Sequence, residues 1–252
     1  MAKEEQKKET VKPKPAVAKD NTKSTNQSSY KKVGNGNKEQ NGAKSEAPYQ
    51  VFQNSIKRAL NLLDIDKCDD GNKFSIHTNT LNDAYRAAIV LSISALDGYL
   101  GAFVIRRIKV LLRNRDNIPS ALTEYIKRLF NKDEFYKIAL RPDFNDELEN
   151  RFERNLEKRS FQGQENISFF MKIVGYDDIF KEISNKADVS PDNLRKNIEM
   201  YTQRRHIIAH RGDYDLSQTK PTENPIKKRY TKQCIELVEF IAVQIHNLSK
   251  EK

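Results

Sequence analysis

The longest apolar pattern in the chain runs from about Thr80 to Leu112 and constrains the fold more than any other feature. Along this stretch, large apolar side chains recur at the three- and four-residue spacing of a helix. The members of this apolar face are Leu81, Tyr85, Ala88, Ile89, Ser92, Leu96, Tyr99, Leu100, Phe103, Ile108 and Leu111. A helix of this length with one continuous apolar face needs partners along its whole length. We therefore predict that the segment is the central core helix.

Further segments with helical periodicity lie on both sides of this one. They cover about 49–64, 119–131, 145–159, 166–174, 177–183, 190–212 and 230–248. Asn166 is expected to cap the fourth of these helices. No segment shows sustained alternation of apolar and polar residues between turns, which is the pattern of strands. The sequence therefore predicts an all-α domain.

Residues 1–48 differ in composition from the rest of the chain. They consist mainly of Lys, Glu, Gln, Asn, Ser, Gly and Pro, with 11 Lys and 6 acidic residues. Such a segment buries too little apolar surface to offset the entropy lost on ordering. We predict a disordered basic tail, acting as a solvated spacer or as an electrostatic tether for nucleic acid. Residues 49–252 are then expected to form one folded domain.

The formal net charge of +10 favours a polyanionic partner. The two cysteines, Cys68 and Cys234, suggest neither a disulfide framework nor a cysteine zinc site, so a cytoplasmic setting is expected. No export signal and no membrane-spanning run of about 18 apolar residues are expected. Motifs of P-loop, dinucleotide-binding, zinc-protease and serine-hydrolase enzymes are not found in the sequence. We therefore expect no cofactor.

The densest cluster of reactive side chains lies in a helix predicted to begin after Ser190 and to end at Gly212. Ser190 suits the N-cap, Pro191 suits the first turn, and glycine suits the C-terminal end of a helix. Near the end of this helix the chain places Arg204, Arg205, His206, His210 and Arg211. Arginine carries a permanent positive charge, and histidine can gain or lose a proton near neutral pH. This helix is therefore the strongest candidate for a catalytic site.

Three interpretations of the cluster stay open on the residues alone. His206 and His210 are four residues apart and could bind a metal, with Asp213 or Asp215 as a third ligand and no fourth ligand evident. Alternatively, an imidazole could move the proton of a ribose 2′-hydroxyl while a guanidinium stabilises the phosphorane in metal-free RNA cleavage. The third interpretation is a charged surface without chemistry.

Three segments resemble the HEPN superfamily. The hexapeptide RHIIAH, residues 205–210, resembles the R-x4-6-H motif, and Arg204 fits its longer spacing. RAAIVLSISALDGYL resembles the early core helix, where an acidic residue, here Asp97, often faces the Arg/His helix. RSFQGQENISFFMKIVG resembles the connector of the RiboL-PSP type of HEPN protein. The resemblance covers roughly residues 50–250, and it departs from the family at His206, where Asn or Asp is common.

The resemblance implies a HEPN-like helical bundle that forms homodimers with a cleft where two motif helices meet. It also implies metal-independent RNA cleavage, commonly in toxin–antitoxin or anti-phage defence systems. The alternative is a noncatalytic HEPN-like module that binds RNA or a partner protein. An antitoxin or another defence-system protein is the partner to expect, and neither alternative involves a metal or a membrane.

The resemblance also assigns roles to individual residues. Arg205 is expected to bind the scissile phosphate, and His210 is expected to transfer the proton. The residues expected to support these two are Arg204, His206 and Asp97. The basic end of the long core helix, with Arg106 and Arg107, could also contact phosphate or simply be solvated. RNA contacts are therefore expected from Arg211, Arg106 and Arg107.

Helix geometry adds one constraint to this site. Arg205 and His210 are five residues apart, which is about 140° around an ideal helix, so they cannot lie on one narrow face. Arg205 falls near an apolar stripe, where an unpaired guanidinium is costly, so Asp97 or a phosphate is expected to satisfy it. A second copy of the chain could supply the histidine opposite Arg205. We therefore expect a composite site.

Overall fold

The computed structural model describes residues 40–65, 77–114, 117–217 and 219–251. The helices in these ranges are α1 Gln40–Leu63, α2 Thr78–Asn114, α3 Ser120–Leu129, α4 Lys132–Ala139, α5 Phe144–Leu156, α6 Gln164–Ile173, α7 Ile179–Ala187, α8 Pro191–Arg211 and α9 Lys228–Glu251. One short antiparallel hairpin pairs β1 Tyr214–Asp215 with β2 Thr222–Glu223. The predicted all-α fold is confirmed, with this hairpin as a small addition.

Helix α2 is the centre of the fold, as its apolar pattern predicts. Helices α1, α5, α6, α8 and α9 all pack against it. By length and composition alone α2 is also apolar enough to cross a membrane, contrary to the expectation that no stretch of the chain is. In the structure, however, side chains such as Ile89, Leu96 and Val104 are buried against these neighbouring helices. Burial inside the bundle accounts for the apolar character of α2.

Helix α8 has the ends that its sequence predicts. The Ser190 side chain accepts a hydrogen bond from the backbone N–H of Asn193 at 3.4 Å. At the other end Gly212 adopts the left-handed conformation, with φ at 58°, and its N–H donates to the carbonyl of Ile207. Asp213 continues in the same conformation, with φ at 67°. These two residues turn the chain sharply from α8 into the hairpin.

Helix α1 begins at Gln40, inside the segment predicted as a tail. Tyr49 stacks on His246 of α9 at 3.8 Å between ring centroids and also contacts Tyr99 of α2. These contacts hold the helix from position 49 onward, and a helix extends cheaply once one part of it is fixed. The rest of the predicted tail, residues 1–39, lies outside the described residues.

Helix α6 begins two residues before the predicted cap Asn166. Gly163, with φ at 78°, precedes the helix and makes no side-chain cap. The backbone N–H of Gln164 instead donates to the Glu199 carboxylate of α8 at 3.2 Å. A contact between α6 and α8 therefore replaces the local cap that the sequence suggested.

Stability is expected to fall at alkaline pH because Cys234 and Tyr201 are buried between α8 and α9. Burial raises the pKa of the Cys234 thiol to about 12, although its contact with Ser92 lowers it slightly. Burial also raises the pKa of Tyr201 to about 12. In the unfolded chain the two groups lose their protons near pH 8.5 and 10. The stabilisation is therefore complete below about pH 8.5 and declines as pH rises toward 12.

Urea unfolding between pH 8 and 11 measures this decline. Each group contributes a slope of up to about 1.4 kcal/mol per pH unit to the free energy of unfolding. Between pH 8 and 9 the thiol dominates because free tyrosine is still largely protonated there. Cys234→Ala should flatten the curve in this interval, and an unchanged slope would contradict the assignment.

Candidate active site

Helix α8 ends on a buried carboxylate that binds two arginines. Asp213 is fully buried, and its Oδ2 accepts hydrogen bonds from Arg86 Nε at 2.9 Å and Arg204 Nη2 at 2.7 Å. Both guanidinium groups also donate to the backbone carbonyl of Asn224 at 3.3 Å. The side chain of Asn224 donates to the carbonyl of Asp213 at 2.8 Å. This network ties the end of α8 to α2 and to the hairpin.

Arg86 is the most enclosed cation of the network, with 8% of its side chain exposed. Burial alone would lower the pKa of Arg86, but hydrogen bonds to Asp213 and Asp83 outweigh it and raise the pKa. Glu223 adds a third carboxylate at 2.9 Å. A buried guanidinium needs such partners to offset its lost hydration. The network is therefore a structural element, and Arg204 belongs to it.

The neighbouring Arg205 is in the opposite situation. Its side chain is half-buried, its Nε is buried without a hydrogen-bond partner, and it forms no ion pair with any residue that the structure describes. It lines a cavity of about 480 Å³ together with His206, Thr202 and Glu199 of α8. The opposite wall is formed by the connector between α5 and α6, residues 157–163, and by Glu165 and Asn166 at the start of α6. An unpaired guanidinium on a polar cavity suits an anionic ligand such as phosphate.

Asp97 does not pair with Arg205, in contrast to the sequence expectation. Its carboxylate accepts hydrogen bonds from the Phe161 N–H at 2.6 Å, from Gln162 Nε2 at 3.2 Å and from Ser160 Oγ at 3.5 Å. The connector crosses α2 at this level and supplies donors that the sequence pattern could not place. Asp97 thus supports the site indirectly, by holding the connector wall of the Arg205 cavity.

The two histidines of the motif lie side by side on the surface of α8. The rings of His206 and His210 are 4.4 Å apart between centroids, with 46° between their planes. His206 lines the Arg205 cavity, whereas His210 lies one turn further along the helix and is not among the cavity residues. His206 therefore contacts His210 and also lines the same cavity as Arg205. An imidazole beside an unpaired guanidinium is suited to proton transfer at a bound phosphodiester.

The metal-site interpretation finds no third protein ligand in the described ranges. There, no group of three or more His, Cys, Asp or Glu side chains is placed to hold a metal ion. Asp213 is bound to Arg86 and Arg204, and Asp215 Oδ1 accepts hydrogen bonds from Ser217. Neither aspartate is free to complete a site with the histidine pair.

The predicted RNA contacts fall in two separate places. Arg211 is exposed in the last turn of α8, beside the histidine pair. Arg106 and Arg107 line a different cavity, of about 220 Å³, between α2 and the ends of α1 and α9. Arg106 lies 20 positions beyond Arg86, which is about 30 Å along a helix. The structure does not bring these two arginines together with Arg205.

Sequence reasoning missed Arg86 and most of the connector. A signal for Arg86 was present, since it lies next to Tyr85 in the first part of the apolar pattern of α2. A charged residue within a core helix indicates a buried partner elsewhere in the chain. The connector carried no comparable signal, because its side chains acquire a role only when it folds across α2.

Comparisons with known proteins identify the family. The family model described as RiboL-PSP-HEPN matches residues 53–247. Comparisons with curated proteins and with solved structures each found no match. The matched range contains α2, the connector and α8, which together build the Arg205 cavity. On this match the chain belongs to the RiboL-PSP-HEPN family.

Proposed function

We propose that this protein is a metal-independent endoribonuclease in which Arg205 binds the scissile phosphate and the two motif histidines transfer protons. The observation that carries the proposal is the unpaired guanidinium of Arg205 on a cavity that His206 also lines. HEPN domains include ribonucleases and often bind RNA, so family membership supports a nuclease or RNA-binding role. The cavity adds a guanidinium and an imidazole, the groups that the proposed cleavage uses.

The proposed reaction uses the ribose 2′-hydroxyl as the nucleophile. An imidazole of the His206–His210 pair accepts the hydroxyl proton while the 2′-oxygen attacks phosphorus. Arg205 stabilises the added negative charge on the phosphorane. The bond to the 5′-oxygen then breaks, and that oxygen takes a proton from an imidazolium of the same histidine pair. The products are a 2′,3′-cyclic phosphate and a 5′-hydroxyl end.

The buried network supports this assignment by separating the roles of the adjacent arginines. Arg204 is bound to Asp213 and has little freedom to reach a substrate. The same network fixes the last turn of α8, which carries His210. A rigid support of this kind keeps catalytic side chains in a productive geometry. We therefore assign Arg204 and Asp213 to positioning and Arg205 to phosphate binding.

We also propose that two chains build the complete site. HEPN domains often dimerise, and in one chain His206, not His210, shares the cavity with Arg205. A symmetric dimer through the exposed end of α8 would bring His210 of one chain toward Arg205 of the other. A cytoplasmic toxin or defence role, held in check by an antitoxin or another partner, fits such an enzyme and is part of this proposal.

Cleavage is expected to persist in EDTA and to stop when the 2′-hydroxyl is removed. The test compares an RNA oligonucleotide with the same oligonucleotide made as DNA, and product ends are identified by mass spectrometry. A cyclic phosphate end confirms attack by the 2′-oxygen. Activity that requires added metal and also cuts DNA would refute the mechanism. RNA binding without any cleavage, together with normal cell growth on expression, would instead support the noncatalytic module.

A further inference from the structure

Two more cavities continue from the Arg205 cavity along the connector. The Arg205 cavity shares Ser160 and Asn166 with a second cavity of about 470 Å³. The second cavity shares Tyr125, Arg128 and Phe169 with a third cavity of about 340 Å³. The shared lining residues show that the three cavities adjoin one another in a row. We call this path, which runs from Arg205 past the connector to α3 and α6, the connector groove.

The middle of the connector groove is basic. Arg128, Lys158 and Arg159 line the second cavity, and no carboxylate lines it. All three side chains are exposed, and none forms an ion pair with another described residue. The third cavity adds Lys172, which is also exposed and unpaired among the described residues, and one carboxylate, Glu124, which pairs with Lys127. These cations are free to bind an external polyanion.

The arginines of the neighbouring helix α5, in contrast, form ion pairs. On α5, Arg151 pairs with Glu134 and Arg154 pairs with Glu147. Carboxylates of α4 and α5 therefore neutralise these arginines, whereas the adjoining Lys158 and Arg159 have no ion-pair partner among the described residues. The connector groove therefore holds unpaired cations beside a helix whose arginines are paired.

An aromatic ring borders the same cations. Phe169 is 41% exposed and lines both the second and the third cavity. Its ring is held edge-on against Tyr125 at 5.9 Å and against Phe170 at 5.1 Å. Proteins bind single-stranded nucleic acid with this combination, in which bases stack on aromatic rings and cations follow the phosphates. A duplex keeps its bases stacked inside and cannot use the ring.

We infer that the connector groove binds single-stranded RNA beside the cleavage position. Phosphates contact Arg128, Lys158 and Arg159, and one base stacks on Phe169. The inference rests on the proposed function, because the bound strand is expected to enter the Arg205 cavity and to be cleaved there. It assigns the main RNA contacts to α3, the connector and α6 instead of Arg106 and Arg107.

The chain offers a matched pair of Lys–Arg dipeptides for the test. Lys158–Arg159 lies in the groove, and Lys57–Arg58 lies on α1, where both side chains are also exposed and unpaired among the described residues. Changing both members to glutamate alters the net charge equally in the two variants. Fluorescence anisotropy with a 2′-O-methyl single-stranded RNA measures binding without cleavage, and thermal melting checks folding.

The groove variant is expected to bind this RNA at least about 10-fold more weakly, and its salt dependence should be shallower because each lost phosphate contact removes about 0.7 from the slope. The Lys57→Glu/Arg58→Glu control should stay within about twofold of wild type. Equal losses in both variants, or no binding by wild type, would overturn the inference.

Phe169 gives a second, charge-free test. Phe169→Ala should weaken binding about fivefold or more, Phe169→Trp should restore it, and a duplex of equal length should bind more weakly than the single strand. Unchanged affinity of the alanine variant, or tighter binding of the duplex, would refute base stacking in the groove.

The outcomes separate this inference from the nuclease proposal. If cleavage depends on Arg205 but is unaffected by the groove variants, the groove inference is wrong and the nuclease proposal stands. If the wild-type protein cleaves no RNA but binds it through the groove, the nuclease proposal is wrong and the groove inference stands.

Discussion

Replacing Arg205 by alanine is expected to lower RNA cleavage by at least about 100-fold while leaving the folded domain as stable as wild type. The rate falls because a donor aimed at the charge of the transition state contributes about 3–4 kcal/mol. Stability is unaffected because the guanidinium has no partner among the described residues to lose. Single-turnover cleavage and thermal melting measure the two effects on one preparation.

Arg204 is the matched control, since it is the same residue type at the adjacent position. Arg204→Ala breaks its 2.7 Å contact with the buried Asp213 and should lower the melting temperature. Arg205→Lys keeps the charge but loses the planar fork, so it should recover only part of the activity. Equal melting losses at positions 204 and 205, or full activity of Arg205→Ala, would contradict the division between a structural and a catalytic arginine.

The same variant tests whether the site is shared between two chains. Arg205→Ala and His210→Ala proteins, each inactive, are mixed under conditions that exchange subunits. If Arg205 and His210 act from different chains, each heterodimer regains one intact cleft and part of the activity is recovered. Verified exchange without recovery would show that both residues act from one chain, and a fully active wild-type monomer would remove the dimer from the mechanism.

The features of α8 that the sequence predicted correctly are local. Ser190 and Gly212 act within one turn of the helix ends, so their residue types determine the caps. The apolar stripe beside Arg205 follows from helical spacing, with Leu194, Ile198 and Tyr201 buried and Ile208 partly buried. Helix α4, in contrast, was not predicted, because it has only eight residues and buries only Ile138.

The contacts that the sequence could not supply are long-range. Arg86 and Asp213 are 127 positions apart, and Asp97 binds a connector more than 60 positions away. Adjacent arginines such as Arg204 and Arg205 have the same chemistry, and their side chains project about 100° apart on the helix. Which one meets a buried carboxylate depends on the packing of α2 and the hairpin, and so the motif alone could not assign their roles.

Asp213→Asn is expected to cost the domain at least about 3 kcal/mol of unfolding free energy. Asparagine keeps the shape of aspartate and tolerates the left-handed backbone at this position, so the change isolates the charge. Without the carboxylate, the guanidinium groups of Arg86 and Arg204 lose the anion between them in a buried site. Removing one partner of a buried ion pair typically costs about 3–5 kcal/mol.

The matched control is Asp178, which pairs with Arg195 at 2.6 Å but is 42% exposed. Water and salt screen a pair of this kind, so Asp178→Asn should cost less than about 1 kcal/mol. For a domain of this size each kcal/mol lowers the melting temperature by about 2–4 °C, so the two variants should be clearly separated by thermal melting.

A double-mutant cycle then tests whether Asp213 acts through its arginine. If the carboxylate serves to offset the buried cation, Arg86→Leu combined with Asp213→Asn should be less destabilised than the sum of the single changes. Additive losses would mean that each side chain stabilises the fold separately. Cleavage by folded Asp213→Asn should also fall, because the last turn of α8 carries His210 and loses its attachment to α2. Wild-type activity in that variant would show that the network stabilises the bundle without positioning the histidine.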